Sequence, residues 1–186
     1  MSTTAAIGRL TPDGLTATVI QWDGYPTSLG YHLAMIAARD GLGTALDNLL
    51  ARTEWATLYD FLPDLADVTP DPQAEGSTPA YLASMPSVID GTLVAVPGYG
   101  FTYAAPFEAH LTLPASAIEN GRVTAPDFDS SQNWWYLFDA DNTLTVYCPY
   151  TDQVVTIPAD RLLTMTDRPA WEPLEDGSYA LVPAAS

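Results

Sequence analysis

Between Pro63 and Pro79 the chain also carries Pro70, Pro72 and Gly76. Proline lacks the N–H that helix interiors and inner strands require, so no long element can cross this stretch. It divides the 186 residues into a hairpin-plus-helix part (1–62), a loop (63–79) and a mainly β part (80–186). The length suits a single domain. A hydrophobic fraction of 47% supplies a core and argues against global disorder. The expected fold is α+β: an N-terminal β-hairpin with two or three helices packed on a mainly antiparallel sheet, in a single domain.

The hairpin is legible in its turn. Ala5–Leu10 is followed by Thr11-Pro12-Asp13-Gly14, with Pro and Gly where a type I turn favours them. Leu15 to Trp22 then alternates as a strand. A helix is expected from Thr27 or Ser28, carrying Leu29, Leu33, Ile36 and Ala37 at helical spacing and stopping at Gly41. A second helix is expected from Thr44, with the helical pattern continuing or restarting through Trp55, Leu58, Tyr59 and Leu62. Beyond the loop, strands are expected at 93–96, 101–104, 110–113, 133–139, 143–148 and 153–157. Asp139 to Asn142 supplies a turn, and Trp134, Tyr136 and Phe138 share a face. The tail from Pro169 reads as irregular.

Twenty-three acidic residues face six basic ones, none of them lysine, for a formal charge of −17. Charged residues are only 16% of the chain, below the usual quarter or so. The acidity therefore comes from missing cations. It excludes direct nucleic-acid binding and disfavours acidic membranes. No apolar run reaches the roughly 18 residues of a membrane span. The start lacks a basic, apolar leader, so a cytoplasmic location is expected.

Between Thr53 and Gly121 there is no Lys or Arg. Within that window Asp60, Asp64, Asp67, Asp71 and Glu75 recur every three or four residues. The prolines among them forbid a continuous helix, so they form an acidic projecting loop. Carboxylates about 5–6 Å apart make a field sparser than, but comparable to, duplex DNA with its charge every 1.7 Å or so. Such a surface steers toward a basic cleft. It also serves as an ordinary solvated face.

Trp22-Asp23-Gly24-Tyr25-Pro26 follows a strand and precedes a helix, with Ile7-Gly8 on the paired strand and Gly30-Tyr31-His32-Leu33 just beyond. On these residues the chain resembles an uncharacterised phage and prophage family with an N-terminal Ile-Gly strand and a Trp-Asp-Gly-Tyr-Pro motif. Trp135-Tyr136-Leu137-Phe138 resembles the family's later aromatic strand. The chain departs from the pattern at Thr4-Ala5-Ala6, where members carry a basic residue, and at Gln21, where many have histidine. The resemblance implies phage origin and a location in the infected bacterial host; it implies no activity. The motif itself has a structural reading: Gly24 takes a positive φ, Asp23 bonds turn N–H groups and Pro26 sets the helix approach. Its functional reading is a small recess lined by Trp22, Asp23 and Tyr25.

No motif fixes a catalytic chemistry. Without lysine there is no Schiff base and no phosphate-loop lysine. Gly98-Tyr99-Gly100 is a turn, not a phosphate cradle. His32 and His110 lack ligand spacing. Asp139-Ala140-Asp141-Asn142 starts like a calcium loop, but Leu144 and Tyr150 stand where Gly and Glu are needed. Asp127 and Asp129 are a lone loop pair, Ser2 an N-terminal nucleophile only after Met removal, and Cys148 a core thiol. No cofactor and no metal are expected, and no motif encodes an oligomeric state. The expected role is binding: an accessory inhibitor or mimic that occupies a basic groove of a host nucleic-acid-handling or defence protein. Virion assembly, a small hydrolase and a small-ligand binder are the alternatives.

Overall fold

The computed structural model describes residues 3–76, 78–107, 109–124, 132–150, 154–157, 170–173 and 179–182. Ser2, Glu108, Asp127 and Asp129 lie outside these residues. The fold is α+β, built on a mixed, mainly antiparallel sheet. Strand β1 (Ala5–Thr11) pairs antiparallel with β2 (Gly14–Ile20) across the expected turn. A crossover then carries the chain over one face through a π-turn (Pro26–Gly30), helix α1 (Tyr31–Asp40) and helix α2 (Leu42–Leu50). It returns as β3 (Glu54–Leu58), parallel to β2.

Strands β4 (Leu93–Val96) and β5 (Gly100–Tyr103) form a hairpin that extends the sheet beyond β3. Strand β6 (Leu111–Pro114) pairs with the first half of β2, leaving the end of that same edge to β3. A small hairpin follows, β7 (Ile118–Glu119) with β8 (Arg122–Val123). Strand β9 (Trp134–Phe138) runs parallel to β1, and β10 (Leu144–Tyr147) and β11 (Val154–Ile157) complete that side. The order is β11-β10-β9-β1-β2-β3-β5-β4, with β6 branching from β2.

Helices α1 and α2 cover one face. Leu33, Ile36, Leu46 and Leu49 are fully buried against Ile7, Ile20, Trp55, Tyr136 and Phe138. Full burial of each such aliphatic side chain contributes about 1.5–3 kcal/mol. Gly41, at φ 80, ends α1 and starts α2. The opposite face buries Leu15, Trp135, Leu137 and Tyr147 beneath Leu113 and Val123. A third cluster, around Ala56, Leu62, Leu82 and Phe101, lies under the segment 59–91. That segment contains one 3-10 turn (Leu65–Asp67) and two short helices, α3 (Pro79–Ala83) and α4 (Pro86–Ile89).

Three expectations are corrected. The helical pattern through Trp55 and Leu58 is strand β3, all five of whose residues are buried. A strand covered on both faces shows no alternation, so its apolar run mimics a helix. The first helix is preceded by the π-turn from Pro26, with no side-chain cap at Thr27 or Ser28. In the tail, β12 (Ala170–Pro173) pairs antiparallel with β13 (Tyr179–Val182).

Candidate functional site

The Trp22–Pro26 block is pinned by both motif strands. The Gly24 N–H donates to the Thr3 carbonyl at 2.8 Å, and the Tyr136 hydroxyl donates to the Gly24 carbonyl at 2.9 Å. Asp23, not Gly24, takes the positive φ, at 59°. Gly24 is required for space: a Cβ there would sit 2.8 Å from both the Ala5 Cβ and the Thr3 carbonyl oxygen. Gly8 is hemmed in likewise, its would-be Cβ 2.6 Å from Leu15 and 2.8 Å from Ala17. The Ile-Gly strand, the Trp-Asp-Gly-Tyr-Pro turn and the aromatic strand thus form one packed unit. Pro26 opens the π-turn, and the Tyr25 carbonyl accepts from Ser28 and Leu29 N–H.

A recess of about 170 Å³ opens beside this unit. Trp22 and Asp23 line it, together with Tyr59, Tyr81 and Phe101. Leu82, Met85 and Leu93 complete its apolar wall, and Thr57 adds a hydroxyl. Tyr25 does not line it and is exposed. A β-bulge between Trp55 and Thr57 makes the geometry possible. It lets Trp55 and Leu58 both enter the helix-facing core while Thr57 and Tyr59 face the recess. Among the described residues no donor is bonded to the Asp23 carboxylate, contrary to the expected turn contacts.

The five acids of the loop separate into two environments. Asp64, Asp67, Asp71 and Glu75 are exposed. Asp64 caps the 3-10 turn by accepting the Ala66 N–H at 3.0 Å, and Asp71 accepts from Gln73 N–H at 3.0 Å. Asp60 does not join them. Its carboxylate lies 2.6 Å from His32 Nδ1, and the two side chains are only 14% and 11% exposed. Tyr31, Tyr59 and Phe61 surround the imidazole at centroid distances of 5.1, 5.2 and 6.2 Å. The pair ties the start of the acidic segment to α1.

Arg39 reinforces that tie. It donates to the Asp60 carbonyl at 2.6 Å and grips both Asp40 carboxylate oxygens at 2.6 and 2.7 Å. The Tyr99 hydroxyl donates to Asp40 and accepts from Asn48. Arg39 holds the Asp40 carboxyl below its ordinary value, with the Tyr99 hydroxyl assisting. Burial, then the bond to Asp40, pushes the Tyr99 phenol up. Sequence pattern alone does not announce this network, because its members lie on four separate elements.

Among the described residues the two histidines do not converge. His110 Nε2 contacts the Leu50 and Arg52 carbonyls at 2.7 and 3.2 Å, whereas His32 engages Asp60. The histidines therefore serve different tasks at opposite ends of the helical crossover. Among the described residues no three of His, Cys, Asp and Glu converge as a metal cluster. Asp139 accepts from Asp141 and Thr143 N–H, a hairpin turn in which Asn142 has φ 59°. Glu54 is a buried acid that no sequence motif marks. It accepts from Gln21 Nε2 at 2.6 Å and Phe107 N–H at 2.7 Å. Burial, then the Glu54 charge, raises the Tyr103 phenol. No helix among the described residues is long and apolar enough to cross a membrane.

Comparison of the chain with protein-family models, with curated proteins and with solved structures returns no match.

Proposed function

We propose that this chain acts by binding: an acidic phage accessory protein that occupies a basic groove of a host nucleic-acid-handling or defence protein. The observation that carries this reading is the distribution of charge. Asp64, Asp67, Asp71 and Glu75 are exposed on one irregular segment. The cations of the described residues are committed elsewhere. Arg9 pairs with Asp47 and Arg39 with Asp40, while Arg52 and Arg122 lie over the Trp55 and Tyr147 rings. The acidic segment thus keeps its field for a partner. Exposed apolar side chains accompany it, with Phe61 52% and Ile89 68% accessible. Interfaces combine such anchors with a charged rim. The Trp22–Pro26 resemblance supports a phage origin.

The test is affinity capture from bacterial host lysate at low and high salt, followed by purified-pair titration. A salt-sensitive complex is expected. Reversing Asp64, Asp67, Asp71 and Glu75 to lysine abolishes it while circular dichroism stays unchanged. Asp60 is left out of that variant because its reversal would break the His32 pair. Binding that survives the fourfold reversal overturns the proposal.

A further inference from the structure

We infer that the recess beside Trp22 is a receptor for one cationic side chain, a lysine or arginine presented by the basic partner. This rests on the proposed binding function and names the contact that gives it specificity. The recess holds about 170 Å³, well short of the roughly 300–1,000 Å³ of drug-sized ligand sites. A nucleotide does not fit, whereas a single extended side chain does.

The lining selects the charge of that side chain. Trp22, Tyr59, Tyr81 and Phe101 contribute four aromatic rings. Ring faces carry negative quadrupole potential and attract ammonium or guanidinium groups. Asp23 is the charged group of the lining, and it is exposed. Among the described residues nothing donates to its carboxylate. An apolar stem would pass Leu82 and Met85, as the alkyl portions of Lys and Arg do when they cover apolar surface. The exposed acids of 64–75 are part of the segment that also supplies Tyr81, and their field attracts the same cationic partner.

The backbone supports the assignment. Asp23 is held at φ 59°, a conformation that non-glycine residues adopt at a cost and that Asn and Asp tolerate best. The Gly24 contacts to Thr3 and Tyr136 hold it there. The carboxylate is therefore presented by a rigid turn instead of a loose loop, which lowers the ordering cost of binding.

The experiment titrates the full chain with Nα-acetyl-lysine amide, Nα-acetyl-arginine amide and, as the neutral isostere, Nα-acetyl-norleucine amide. The indole N–H resonance of Trp22 is followed by NMR. The cationic probes are expected to shift it saturably, with norleucine amide weaker by about fivefold or more. Asp23→Asn keeps the turn, since Asn accepts the same φ. It should weaken the cationic probes by about fivefold and leave norleucine amide unchanged. Tyr81→Ala should weaken all three. Equal binding of lysine and norleucine amides, an Asp23→Asn variant indistinguishable from the parent, or no saturable change at Trp22 overturns the inference. Partner capture with the parent chain separates the two proposals. Lysine-amide binding that persists in a chain with no salt-sensitive partner supports the recess and removes the inhibitor. A salt-sensitive complex without any lysine-amide response does the opposite.

Discussion

The two ends of the sheet are covered in different ways. Over β1, β2 and β9 lie α1 and α2, whose apolar stripes are fully buried and whose ends meet at Gly41. Over β3, β5 and β4 lies the segment 59–91, with one 3-10 turn, helices of five and four residues, and several exposed apolar side chains. The first covering seals its face. The second leaves aromatic rings and carboxylates accessible. Binding surfaces are drawn from such incompletely sealed regions, because a surface already satisfied by its own chain has little to gain from a partner. Resemblance and charge therefore point to different parts of the molecule. The motif residues build a rigid support that presents Trp22 and Asp23 at the recess, and the less regular segment adds exposed carboxylates and further rings.

The sharpest way to break this comparison is to cut into each covering. Trp55, on β3, is fully buried beneath α2, and its Nε1 donates to the Leu49 carbonyl at 3.0 Å. Trp55→Ala should cost about 3–5 kcal/mol in denaturant unfolding. Tyr81 is 39% exposed, and Tyr81→Ala should cost less than about 1 kcal/mol while impairing the recess. Similar losses from both would mean that the 59–91 covering is as integral to the core as the helices.

A smaller effect is expected where the segment is tethered. Asp60→Ala leaves the His32 Nδ1 without its carboxylate partner. The loss of such a charge-assisted bond at a nearly buried site should cost about 1–3 kcal/mol. Hydrogen exchange should quicken through 60–91 and stay slow in α1 and α2. Uniform quickening over the whole chain would show that the segment does not open independently.

The legibility of the two regions in the sequence follows the same division. The β1–β2 turn, the end of α1 at Gly41 and the strand 93–96 are readable because each rests on local rules: turn chemistry, capping and a short apolar run bounded by turn residues. Strand β3 was misread because burial on both faces removes the period that distinguishes strand from helix. For Gly24 the turn pattern predicts a positive φ that the residue does not take. Its constraint is the nearby Thr3–Ala5 backbone, a contact no local pattern encodes. Asp60 joined an acidic stripe by spacing alone, and only the fold reveals that His32 withdraws it. Of the recess, the motif shows only Trp22 and Asp23, whereas Tyr59, Tyr81 and Phe101 arrive from three distant segments. The alternation of Phe101 and Tyr103 along β5 was the available hint.

The helical covering also has room for improvement, which the comparison predicts for a layer whose role is purely structural. Gly43 lies in α2, and a Cβ there would meet nothing within 4 Å. Gly43→Ala should therefore stabilise the protein by about 0.4–1 kcal/mol. Probe binding at Trp22 should not change. A gain in stability accompanied by altered binding would couple α2 to the recess.

The smallest effect sits where the two coverings join. Arg39 pairs with Asp40 inside α1 while donating to the Asp60 carbonyl, so its guanidinium bridges the junction. Its hydrogen bonds, aided by the Tyr99 hydroxyl, hold the Asp40 carboxyl below the ordinary 3.8. A carboxyl with a folded pKa below its unfolded one adds stability that is fully present above the unfolded value. That increment is lost as pH falls through the folded value. Stability attributable to Asp40 should thus be constant at neutral pH and decline below about pH 4. Because the Arg39 and Asp40 side chains are 40% and 22% exposed, solvent screening keeps the increment below about 1 kcal/mol. Asp40→Asn should flatten the acid limb of the stability curve by that amount, and high salt should flatten it in the parent chain. If Asp40→Asn also accelerates exchange in 60–91, the ion pair holds the second covering in place. If exchange changes only in α1, the His32–Asp60 bond is the tether and Arg39 serves the helix alone.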